Sequence, residues 1–187
     1  MKLLYGLTAS IRRWKELPCQ RIKPPPFSLE QLRCWITYYP DAGVFIWNVT
    51  RGGGCCAGTL AGCADQYGYL RIGINNIKYA VADLVWFWCH GEWPSFTIDH
   101  KNTDSTDNRI CNLRPATRSQ NNANRHVRRD SVSGIKGVSF HKQRKKWMAR
   151  IKKDNNHIHL GLFNTPEEAK AAYDLAAIKY HGEFARL

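Results

Sequence analysis

The sequence predicts an α+β chain of short antiparallel strands with helices packed on them. Three stretches predict it. Residues 69–74 and 77–81 read as two strands joined by Asn75-Asn76, a pair that tolerates the positive φ of a tight hairpin turn. Residues 98–124 (IDHKNTDSTDNRICNLRPATRSQNNAN) are crowded with Asn, Asp, Arg and Thr, yet keep Ile98, Ile110, Leu113 and Ala116 at spaced intervals. From Gly137 onward, three alternating runs precede a segment with helical spacing.

A length of 187 residues gives room for one ordinary domain or two small ones. Hydrophobic residues make up 43%, with seven Trp, which is enough for a core and excludes disorder of the whole chain. A net charge of +13 and a pI near 9.6 imply a polyanionic partner, most simply nucleic acid. The seven Cys are odd in number and include no Cys-x-x-Cys pair. Adjacent Cys55-Cys56 is a poor spacing for tetrahedral zinc, so the expectation is free structural thiols in a reducing cytosol. Leu3, Leu4 and Leu7 are too short a run for a signal peptide, and no stretch reaches the ~20 apolar residues of a membrane span.

Taken in order, residues 1–27 are a basic leader of unknown role, with Pro24-Pro25-Pro26 as a stiff extended break. Ser28 caps a short helix lined by Leu29, Leu32, Trp35 and Ile36. Residues 39–43 have turn chemistry, 44–47 read as a strand and 51–54 as a loop. Residues 82–90 are apolar and long enough for a helix, stopped by Gly91. Then comes a strand ending at Asp99-His100, a loop to Ile110, a returning strand at 113–116, and a helix begun by Thr117 that carries Asn121 and Asn124.

Between Arg125 and Lys153 stand eleven Lys and Arg against the single acid Asp130. Residues 137–140, 147–151 and 158–163 are three strands, with turns at 143–145 and 154–156 that make the sheet antiparallel. Alternation in the middle strand puts Trp147, Ala149 and Ile151 on one face and Met148, Arg150 and Lys152 on the other. Thr165-Pro166-Glu167-Glu168 starts a helix with a Thr cap, Pro at its first position and Glu at its third. Ala169, Ala172, Tyr173, Ala176 and Tyr180 follow at helical spacing, and Gly182 ends it.

The polar centre suits phosphodiester hydrolysis, which needs an activated water, a cation on the phosphate and relief of the leaving oxygen. Asp99 is a hard anionic metal ligand, and Asn121 can add an amide oxygen from the following helix. His100, pointing away from Asp99 along the strand, is a general base for water, and Asn112 can hold the His100 region by amide hydrogen bonds.

These residues carry a resemblance. The Asp-His pair, an Asn 12 residues after the His, a last Asn nine further on, and the words GEWP, IDH, TDNRI and NLRPATRSQN resemble the HNH endonuclease family, in its Asn-terminated phage and homing variant. The resemblance covers residues 28–125, with a ββα-metal core at 97–125. It implies Asp99 and Asn121 as ligands of one divalent metal ion, magnesium or manganese, His100 as general base and Asn112 as a catalytic-site structural residue. It also implies a phage-encoded protein in the cytoplasm of a bacterial host. One departure stands out: the family usually carries His-Arg before Leu-Val-Trp, and this chain has Ala82-Asp83.

In the last third, a domain expected over 126–187, residues 133–187 resemble the APETALA or ethylene-response-factor type DNA-binding domain through KGVSF, KKWMARI, HLGLF, TPEEAKAAYDLAA and HGEFARL. That resemblance implies a three-stranded sheet in the DNA major groove backed by one helix. Lys136, Ser139, Trp147, Arg150, Lys152, His157 and His159 would then face DNA, although Trp147 fits the core equally well by its alternation. Lys145, Lys146 and Lys153 are expected to neutralise phosphate.

The fold class is therefore α+β: a ββα-metal (HNH) nuclease domain followed by a small three-stranded antiparallel sheet on one α-helix. The leading function is a metal-dependent endonuclease acting on double-stranded DNA as a monomer, with no obligate protein partner. Two alternatives remain: a catalytically decayed, sequence-selective DNA-binding regulator, motivated by Ala82-Asp83, and a zinc-ribbon adaptor.

Overall fold

A computed structural model describes residues 24–187 apart from 53–54, 128–130 and 155. Most of the basic leader, part of the 51–54 loop and the middle of the 154–156 turn lie outside the described residues. The structure forms two compact units divided after Thr117.

In the first unit, Ser28 caps α1 (Leu29–Trp35) with a reciprocal box: its hydroxyl accepts from the Gln31 N–H, and the Gln31 side chain accepts from the Ser28 N–H. The helix stops one residue short of expectation. Ile36 opens β1 (Ile36–Tyr39), because the run Ile-Thr-Tyr-Tyr is β-branched and aromatic and pairs with β2 (Val44–Trp47). Two-residue strands β3 (Leu60–Ala61) and β4 (Cys63–Ala64) extend this sheet and the next, one each.

The hairpin of β5 (Leu70–Ile74) and β6 (Ile77–Ala80) turns on Asn75 and Asn76, both at positive φ as their side chains permit. Helix α2 (Val81–His90) follows and packs on β5, β6 and α1, ending at Gly91 in the left-handed region. Leu32, Ile36, Phe45, Ile72, Ile74, Leu84 and Val85 form the centre of one apolar core. Phe27, on the leader side of the expected boundary, is buried there too, edge-on to Trp35 and Tyr79. The core carries the antiparallel pair β7 (Thr97–His100) and β8 (Leu113–Ala116), joined by a loop and a 3-10 turn at Ile110–Asn112.

In the second unit, a short helix α3 (Arg118–Asn124) precedes the sheet β9 (Val138–His141), β10 (Lys146–Lys153) and β11 (Asn156–Phe163), with β10 central. Helix α4 (Pro166–His181) lies across all three strands. Thr165 caps it by accepting from the Glu168 N–H, as expected. Its small residues Ala169, Ala176 and Ala177 let it approach Val138, Ala149 and Ile151 closely. No helix among the described residues is long and apolar enough to cross a membrane. Cys34, Cys56, Cys63, Cys89 and Cys111 are free and exposed.

Candidate nuclease site and nucleic-acid interface

Register brings the first site together. Asp99 and Arg114 are direct partners across β7 and β8, and the Arg114 Nε–H donates to Asp99 Oδ2 at 2.8 Å. Both side chains are nearly buried, so the pair is short of water and fixed in place. His100, the next residue, is buried, and its Nε2 lies 3.1 Å from Asn108 Oδ1. Asn108 Nδ2 donates to the Thr106 carbonyl, which makes Asn108 Oδ1 the acceptor and His100 Nε2–H the donor. That tautomer puts the imidazole lone pair on Nδ1.

Asn108 is 1% exposed and held from below. The Tyr38 hydroxyl donates to the Asn108 carbonyl at 2.8 Å and accepts from the Ile110 N–H at 3.1 Å. Burial pushes the Tyr38 phenol up to about 12, so this double contact persists across ordinary pH. Gly43, at φ +69, sits against the same backbone: a Cβ there would stand 2.5 Å from Arg109 N. Asn112 is the hub of the loop. Its Nδ2 donates to Asn102 Oδ1 and to the Asp107 carbonyl, and its Oδ1 accepts from the Asn102 N–H. Asp107, pulled down to about 2 by hydrogen bonds from Arg109, clamps Asn102 as well. Most of the polar density between 101 and 109 therefore closes the loop on itself.

Asn121 stands on α3, in the second unit. Asp99, His100 and Asn112 belong together on the hairpin of the first.

The second site is the outer face of the β9–β11 sheet. Arg150 pairs across the strands with His159, and Lys152 with His157, all four exposed. Ser139 pairs with Met148 on the same side. Two expected contacts lie elsewhere. Trp147 packs against the α4-facing core, edge-on to Phe140, since it shares its strand face with Ala149 and Ile151. Lys136 turns inward, its ammonium donating to the Ala123 and Arg125 carbonyls at the end of α3, and burial pulls its pKa down to about 8. Lys153 is exposed, its ammonium 5.3 Å from the centre of the Tyr180 ring.

Comparison with known proteins finds a family match over each of the two stretches. Residues 79–123 match the HNH endonuclease family, and residues 133–183 match the AP2 domain. The chain carries an HNH endonuclease domain followed by an AP2 domain. Similar proteins include the AP2-like ethylene-responsive transcription factor ANT of Arabidopsis thaliana, 36% identical over 98 residues. That alignment takes in 48% of this chain and 17% of the relative. The factor CRL5 of Oryza sativa subsp. japonica is 45% identical over 65 residues, 30% of this chain and 10% of its own length. The ethylene-responsive transcription factor WRI1 of Arabidopsis thaliana is 49% identical over 53 residues, 27% of this chain and 12% of its own. The chain thus spans less than a fifth of these relatives.

Sequence reasoning missed Asn108, Arg114, Tyr38 and Gly43. Antiparallel pairing of β7 with β8 would have found Arg114, because it alone puts a guanidinium opposite Asp99. Nothing in the HNH segment separates Asn108 from its Asn neighbours. Tyr38 and Gly43 lie outside the matched span.

At the departure from the family pattern, Ala82 is core and Asp83 is half-buried in the first turn of α2. Burial pushes the Asp83 carboxyl up to about 7, against the opposing charge of Arg71. An acid with a raised folded pKa costs stability once ionised: the cost begins above the ordinary carboxylate range and is complete above about pH 7. Asp83→Asn should therefore raise the melting temperature at pH 8, by on the order of 2 kcal/mol of stability, and give little at pH 4. A gain of equal size at both pH values would show that ionisation of Asp83 is not the cause.

Whether the residues fit a divalent ion follows from their donors. No group of three or more His, Cys, Asp and Glu among the described residues could cage a metal. Asp99 supplies one hard carboxylate held in place by Arg114. This suits a magnesium-like ion, which takes one or two carboxylates and draws its other ligands from phosphate and water.

Proposed function

We propose that this protein is a metal-dependent DNA endonuclease of the phage or homing type, whose AP2 sheet binds double-stranded DNA in the major groove. The observation that carries the reading is the fixed His100 imidazole, with its lone pair directed to Nδ1 by Asn108, one residue from the Asp99 carboxylate. The residues at 79–123 that match the HNH family support the same reading.

In this proposal Asp99, with Asn121 as the second donor implied by the family, holds one magnesium or manganese ion. When bound, that ion supplies positive charge to the phosphate and its leaving oxygen. His100 takes a proton at Nδ1 from the attacking water, and its Nε2–H stays on Asn108 as the imidazolium forms. Asn112 keeps the 101–109 loop closed around the base. Arg150, Lys152, His157, His159 and Ser139 form the groove-facing row. Three strands about 4.8 Å apart span roughly 10 Å, close to the ~12 Å width of the groove.

The second reading, a decayed DNA-binding regulator, draws on Ala82-Asp83. Supercoiled plasmid incubated with the protein in magnesium or in chelator separates the two. Nicks that need magnesium support the nuclease. Plasmid left intact at low salt over a sequence-diverse set, with selective retention of DNA, supports the regulator and overturns the nuclease. Retention itself should fall steeply with salt, as for any sheet that neutralises phosphate.

A further inference from the structure

The turn at residues 65–69 lies outside the HNH match and outside the AP2 sheet, yet it stands beside His100. Two aromatic side chains mark it. Tyr67 is 76% exposed and Tyr69 is 42% exposed, and the Tyr69 ring lies 6.5 Å from the His100 ring, tilted by 52°. Isolated exposed apolar residues are ordinary, but these two share one short turn, and Tyr69 in it stands beside His100.

The turn is rigid. Asp65 Oδ1 accepts from the Tyr67 and Tyr69 N–H groups at 2.9 and 3.0 Å, and Oδ2 accepts from Arg71 Nε at 3.1 Å. The Asp65 N–H donates to the Tyr69 carbonyl, closing the turn. Ser105 Oγ donates to the Gly68 carbonyl at 3.1 Å, so the turn is fastened to the same loop that positions His100. Such a turn offers aromatic faces at fixed places, with little ordering left to do on binding.

We infer that residues 65–69 are a DNA-binding site, in which Tyr67 and Tyr69 pack on the sugars and groove edges of the strand next to the cut phosphate. The Tyr69 ring stands beside His100, where a strand bringing a phosphate to that base would lie. A contact to sugars carries no sequence information, so it seats DNA at the cutting site without reading sequence. It complements the AP2 sheet, whose groove-facing row is charged rather than aromatic. The inference rests on the nuclease reading for the identity of the cut strand.

The test is arranged so that it does not depend on cleavage. Full-length protein in chelator is photo-crosslinked to a sequence-diverse pool of iododeoxyuridine-substituted duplex DNA, and the adducts are mapped by peptide mass spectrometry. Adducts on Tyr67 or Tyr69 are expected, and their absence overturns the site whether or not the protein cuts. In nicking assays, Tyr67→Ala should raise KM at least about five-fold with kcat little changed, and Tyr67→Phe should behave as wild type. An unchanged KM in Tyr67→Ala likewise overturns it. Inactive wild-type protein that still forms the tyrosine adducts sinks the nuclease reading and keeps the binding site.

Discussion

Replacing His100 by alanine should reduce magnesium-dependent nicking by about 10²–10⁴-fold while DNA retention stays as in wild type. The size follows from the role: a positioned general base contributes that much. Asn108 refines the prediction. Asn108→Ala keeps the imidazole but removes the acceptor that holds its proton on Nε2, so the lone pair is shared between both nitrogens. Activity should fall about ten-fold or more, less than for His100→Ala. Asn108→Asp keeps an oxygen acceptor at the same place and should recover much of the loss. The three rates, measured on supercoiled plasmid beside melting curves, give an order: wild type, then Asn108→Asp, Asn108→Ala and His100→Ala. Equal rates for the two Asn108 variants would make Asn108 a loop strut and nothing more. A His100→Ala protein that nicks normally removes the base assignment altogether.

Much of the fold was legible because its signals are local. Asn75-Asn76, Ser28 and Thr165 each act through their own backbone neighbourhood, and the structure has a hairpin or a cap at all three. The candidate site was legible as a segment but less so by residue. Asp99 and His100 were readable as an adjacent pair at a strand end. Arg114 needed register, a relation between two strands. Asn108 needed three-dimensional contacts with Tyr38 and Gly43, which are 70 and 65 positions away, and no spacing rule connects them. Lys136 illustrates the opposite failure: its position in the resembled domain implied a DNA contact, yet its ammonium donates to carbonyls at the end of α3. Trp147 was decided by parity, since a side chain that alternates with Ala149 and Ile151 must share their face. The short strands β3 and β4 have no pattern of their own and exist only because neighbouring strands offer them hydrogen bonds.

Gly137→Ala is expected to unfold the AP2 unit while the first unit stays folded. Gly137 adopts φ +70 where the chain enters β9, and a Cβ there would stand 2.2 Å from the Tyr173 ring and 2.6 Å from the Arg150 carbonyl. Neither neighbour can yield. Tyr173 is buried in the centre of the α4 packing, and the Arg150 carbonyl already accepts a position fixed by the hydrogen bond from the Arg150 N–H to Gly137 O. Overpacking of this kind costs about 1–3 kcal/mol or more, and the left-handed backbone adds roughly 1–2 kcal/mol for a residue with a Cβ. A unit of this size has only about 5 kcal/mol or so to lose. Gly134→Ala is the control, because Gly134 has φ +62 with nothing near its Cβ position, so it carries the backbone strain alone. Limited proteolysis should release the first unit intact from Gly137→Ala and leave Gly134→Ala resistant. DNA retention should weaken sharply in the former, to what the first unit holds alone, and stay at the wild-type level in the latter, whereas equal retention in both would mean that Tyr173 and the Arg150 carbonyl can move aside and that the close packing at Gly137 does not hold the sheet on its helix.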